Sequence, residues 1–172
     1  MELPALLTHA TAGVAFLGYV IALTLRLTVN RPRMNAGRSW WTAGCLMLFV
    51  HVACAFQFVH HWSHRTAYEA TARQTAAVTG FDSGSGVYVN YAVMAAWLCD
   101  VLWWWLAPSR HESRSRTAEW LLQGFLAFVW FNATVVFGHG ATRWLGSTAW
   151  LLLVVLWLRR RRDQSSLSSP FS

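Results

Sequence analysis

The chain has 172 residues, 55% of them hydrophobic and only 12% charged, with a mean hydropathy of +0.32. A soluble domain carries about a quarter charged residues, so this deficit excludes an ordinary water-soluble fold and points to lipid as solvent. The net charge of +7 comes from arginines that flank apolar runs; there is no nucleic-acid recognition motif, so nucleic-acid binding is excluded and membrane topology explains the basic residues.

Five apolar segments follow one another, over about residues 5–25, 40–60, 87–106, 120–138 and 144–158. A membrane-crossing helix needs about 20 apolar residues; the last segment is short by that rule unless it starts earlier, near Ala141, or reaches the interfaces through its flanking Trp and Arg. The pattern predicts an all-α, polytopic integral membrane protein: a five-helix transmembrane bundle forming one domain over residues 1–163, followed by a mobile polar tail, 164–172. The first segment has no positively charged start and no small-residue cleavage site, and it is expected to be a retained span. Cys45, Cys54 and Cys99 all fall inside apolar segments, which argues against a disulfide framework.

Between the second and third segments, RTAYEATARQTAAVT has helix-forming composition, with Glu69 and Arg73 placed as an i,i+4 pair. Gly80 should stop that helix, and FDSGSG reads as a turn leading back into the bilayer. Eleven of the fourteen arginines follow the first, third and fifth segments; Arg65, Arg73 and Arg143 fall on the other side. The positive-inside rule then puts the amino terminus outside and the carboxyl terminus inside, with a bacterial inner (cytoplasmic) membrane as the expected location.

The run HVACAFQFVHHWSH, His51 to His64, ends the second segment with a histidine cluster. Ligating side chains at membrane depth are costly and mark a candidate site. His9, His60, His61, His64 and His139 all fall at the outer ends of spans, five of the seven histidines in the chain. If the second helix continues through His64, His60 and His64 share a face one turn apart. His51 lies roughly 15 Å deeper than His61 by helical rise, and His111, in an inner loop, is expected to be exposed to solvent.

Two arrangements follow. In one, His60 and His64 hold a transition metal (Zn, Cu or Fe), with His139 or His9 completing the shell and Glu69 or Asp82 as a carboxylate ligand. In the other, His61 and His139 ligate a haem b. Their second-shell acceptors would be Glu69, Asp82 or Asn132.

Asp100, in the inner half of the third segment, needs a partner at that depth, and Arg26 at the end of the first segment is the expected one. The leading functional expectation is thus a small multi-span membrane protein whose outward-facing histidine cluster binds metal or haem for redox or metal-dependent chemistry. The alternatives are a non-catalytic accessory or structural subunit of a larger membrane complex and, third, a small oligomeric transporter using His51 and Asp100. The expected partners are the lipid bilayer and either other membrane proteins or further copies of the chain.

Overall fold

The computed structural model describes residues 3–28 and 34–167. They form α1 (Leu3–Thr28), α2 (Met34–Ala55), α3 (His64–Thr79), α4 (Gly86–Leu106), α5 (Pro108–Glu112), α6 (Arg116–Phe131) and α7 (Gly140–Leu167), with no strand among them. Single π-helical turns, Phe56–His60 and Asn132–Val136, extend α2 and α6. Among the described residues, five helices are long and apolar enough to cross a membrane: Leu3–Thr28, Ala36–His60, Gly86–Leu106, Arg116–Val136 and Gly140–Asp163. The fold is an all-α bundle suited to a lipid bilayer.

The last span takes the earlier of its two expected starts. It starts at Gly140, whose positive φ of 53° follows His139, and α7 runs on through Leu167. Helix therefore enters the segment expected to be a polar tail, and residues 168–172 lie outside the described ones.

Consecutive spans run up and down. The carboxyl end of α1 (Arg26), the amino end of α2 (Trp41), the carboxyl end of α4 (Asp100), the amino end of α6 (Glu119) and the carboxyl end of α7 (Arg160) are linked by side chains at one end of the bundle. At the opposite, histidine end, His51 of α2 meets Thr8 of α1, and Arg143 of α7 meets the π-turn after α6. Laterally, α1 packs on α2 and α7, α2 on α4, α4 on α6, and the π-turn after α6 on α7. The five spans close into a ring.

Each span sends one aromatic ring to the centre of that ring. Tyr19 of α1 is fully buried, and its ring centroid lies 5.8 Å from Trp41, 5.9 Å from Trp97, 6.2 Å from Trp130 and 6.3 Å from Trp150. Lipid tails are as apolar as a protein core, so helix association in a membrane rests on close packing and polar contacts rather than on escape from water. Large, interlocked rings maximise that packing. The α1–α2 contact is closer still. A Cβ on Gly18 would stand 2.8 Å from Gly44 Cα, and one on Gly44 would stand 3.1 Å from Ala15 O. Two glycines let the two backbones touch.

Candidate functional site

The histidine end is shaped by a break in the second span. The helix passes into the π-turn at Phe56, and His61 and Trp62 then take left-handed conformations, with φ of 49° and 56°. Such conformations cost L-residues roughly 1–2 kcal/mol each. Hydrogen bonds hold them: His61 N and Trp62 N both donate to Phe56 O, the latter at 2.9 Å, Ser63 N to His60 O at 2.9 Å, and Trp62 Nε1 to Gln57 Oε1 at 2.8 Å. Ser63 then caps α3, its hydroxyl accepting from Thr66 N. A cap at Ser63 starts a new helix, so His60 and His64 do not share one helical face as expected.

Each histidine has its own surroundings. Both ring nitrogens of His64 face phenols, Nδ1 at 3.1 Å from the Tyr91 hydroxyl and Nε2 at 3.4 Å from that of Tyr88. One nitrogen donates and the other accepts, which engages the lone pair a metal would need. His60 sets its ring edge-on to Phe56, and its Nδ1 is buried without a hydrogen-bond partner among the described residues. His9, His61 and His139 are exposed. Deeper in span two, His51 Nδ1 donates to Thr8 O at 2.9 Å and ties α1 to α2.

The carboxylates expected nearby are separate too. Glu69 accepts from Arg65 Nε at 2.8 Å on the exposed face of α3, not from Arg73, and this pairing raises the Arg65 guanidinium above its ordinary pKa. Asp82 is exposed in the loop after Gly80, whose φ of 80° ends α3 as expected. Asn132 turns its amide back to Phe128 O. Among the described residues, no three His, Cys, Asp or Glu side chains are grouped to hold a metal ion.

The polar chemistry lies at the arginine end. Asp100, 5% exposed, accepts from Trp41 Nε1 at 2.9 Å through Oδ2, while Oδ1 accepts from His111 Nε2 at 3.0 Å and from Arg114 Nη1. A proton on His111 Nε2 makes it a donor to the carboxylate, so its 3.0 Å approach to Arg114 Nη1 is proximity rather than a hydrogen bond. The His111 ring stacks on Trp104, 4.7 Å between centroids and 8° between planes. Arg114 Nε lies 3.9 Å from Glu119 Oε2, Glu119 pairs with Arg26, and Arg160 donates to the Arg26 carbonyl.

This clasp corrects two expectations. Asp100 is bound by Arg114 and His111, and Arg26 joins one step away, through Glu119. His111 is buried, not exposed. Pro108 at the first turn of α5 folds the chain back under α4, which brings residues eleven and fourteen positions beyond Asp100 onto its carboxylate. The sequence signal was APSRHESR, a proline-started turn carrying two cations just past a span with an unpaired acid.

Chemically, the clasp is a saturated network: every Asp100 oxygen is occupied, and its members link all five spans. It is built to hold helices together. Compared with protein-family models, with curated proteins and with solved structures, the chain matches none.

Proposed function

We propose that this chain is a non-catalytic subunit of a larger membrane assembly, and that its histidine end is the surface that meets a membrane-protein partner. The observation that carries this reading is the aromatic rim of the connection between spans two and three. Trp62 and Phe81 in that connection, and Tyr88 in the first turn of α4, are 67%, 75% and 55% exposed. Aromatic side chains are enriched at protein contact surfaces, and these three stand at one end of the bundle. The saturated clasp and the phenol-bound His64 support the same reading, because the residues with the most chemical potential already serve packing.

The orientation belongs to this proposal. With the arginine end in the cytoplasm of a bacterial inner membrane, the aromatic rim faces outward. A phosphatase fused after Ser172, active only in the periplasm, is expected to be inactive, and a cytoplasmic reporter at the same place active. Full phosphatase activity would reverse the orientation.

The assembly itself is tested with the full chain carrying a benzophenone amino acid in place of Phe81. Irradiation in native membranes is expected to give an adduct with a second polypeptide. Adducts to lipid alone would remove the support that the rim gives.

A further inference from the structure

A cavity of about 270 Å³ opens between α1, α6 and α7 in the arginine half of the bundle. Its wall is almost wholly carbon, from Leu23, Leu27, Leu153 and Trp157 among others. Trp120 and Val154 also line it and are half exposed. On a spanning helix exposure means lipid, so the cavity is open to the bilayer. Arg26 and Glu119, paired with each other, border it at the end of α1 and the start of α6. Two more guanidiniums reach this border through contacts with lining residues. Arg160 donates to the Arg26 carbonyl, and the Arg161 guanidinium lies over the Trp157 ring, 4.3 Å from its centroid. Helical period explains their place. Trp150, Leu153, Val154 and Trp157 form the stripe of α7 that lines the cavity. One turn on, that stripe carries Arg161 at its centre and Arg160 at its edge, while Arg159 falls on the opposite face. Carbon gives way to charge along one side of one helix.

We infer that this is a binding site for one anionic phospholipid, with an acyl chain in the cavity and the phosphate on Arg160 and Arg161. Charge complementarity selects the occupant. Glu119 is answered by Arg26, and Arg114, 3.9 Å from Glu119, is answered by Asp100, so Arg160 and Arg161 leave the border positive. Both are exposed. Arg161 stacks through the plane of its guanidinium, which turns the N–H edge toward a phosphate. Arg160 commits one nitrogen to the Arg26 carbonyl, and a guanidinium carries further donors. Phosphatidylcholine would bring a quaternary ammonium to a positive border, whereas a lipid of net negative charge brings none. A free phosphate ion could meet the arginines but would leave the carbon wall bare. Arginines scattered along an inner membrane face attract anionic lipid diffusely; here contacts with lining residues set two of them at the edge of an apolar cavity. The inference rests on the bundle lying in a bilayer and stands independently of the assembly proposed above.

The test is native mass spectrometry of the full chain in mild detergent, titrated with dioleoyl phosphatidylglycerol and, separately, with dioleoyl phosphatidylcholine. One phosphatidylglycerol per chain is expected, bound about tenfold more tightly than phosphatidylcholine. Arg160→Gln and Arg161→Gln should each weaken it about fivefold, and Arg159→Gln, on the opposite face, should not. Gly124 lines the cavity, and a Cβ there meets nothing within 4 Å, so Gly124→Leu should fill the space and abolish binding with every arginine in place. Glycerophosphoglycerol, the headgroup without its acyl chains, and inorganic phosphate should both fail to displace the lipid. Equal affinity for the two lipids would overturn the inference, and so would equal losses in all three arginine variants, which is the mark of diffuse attraction. Displacement by either chain-free anion would make the border an ion site and not a lipid site. Undiminished binding to folded Gly124→Leu would remove the cavity from the account; if that variant does not fold, the two chain-free competitors decide the same point.

Discussion

Asp100→Asn is expected to be the most destabilising single change in the chain. Asparagine keeps the shape of the side chain and can still accept one hydrogen bond, but it removes the charge that Arg114 and His111 face. The Arg114 and Asp100 side chains are each 5% exposed, so the guanidinium would be left buried without its counter-ion. Breaking a buried pair from one side costs about 3–5 kcal/mol, and removing both partners costs less. Thermal unfolding in detergent should therefore show a large drop for Asp100→Asn, a similar one for Arg114→Gln, and partial recovery in the double variant. Strictly additive losses would contradict the clasp. Arg26→Gln should couple to Glu119 in the same assay and only weakly to Asp100.

Gly18→Leu is expected to rank second. Its Cβ would fall 2.8 Å from Gly44 Cα and 3.2 Å from Trp40 O, both backbone atoms that no rotamer change can move. Spans one and two would have to part, and the rings around Tyr19 would lose contact with Trp41. Overpacking a close site costs about 1–3 kcal/mol where side chains can yield, and here they cannot. Gly13→Leu on the same helix is the control, because nothing lies within 4 Å of the Cβ it would add. Detergent-resistant folding should fall for the first and hold for the second. Equal behaviour would mean that the glycine contact does not set the α1–α2 approach.

The spans were legible because their signal is one-dimensional: length, hydropathy and flanking arginine need no tertiary information. The stop at Gly80 was legible for the same reason, since a left-handed helix cap is local. The start of the fifth span was the least legible boundary, because Gly140 and Thr142 dilute the apolar count where the helix begins. Three-dimensional facts were not legible. Histidines near one another in sequence were expected to converge, but two left-handed residues and the Ser63 cap turn the chain between His60 and His64. The need of Asp100 for a partner was legible, but depth along the spans points to Arg26 and carries no sign of His111 and Arg114. The fold-back at Pro108, which delivers His111 and Arg114, is visible only once α5 is placed. The aromatic hub was hidden in a different way. The chain has twelve tryptophans, and nothing in their spacing shows that Trp41, Trp97, Trp130 and Trp150 meet around Tyr19.

The central claim is that the histidine end serves assembly and not metal or haem chemistry. It is tested most directly on the Phe81 cross-linking sample, purified in mild detergent from wild type and from the His60→Ala/His64→Ala variant, with metal content and visible absorption measured on the same material. The account predicts the same polypeptide adduct in both, and neither stoichiometric metal nor a haem band in either. A lone chain that carries one equivalent of metal or haem, lost when His60 and His64 are removed, would contradict it.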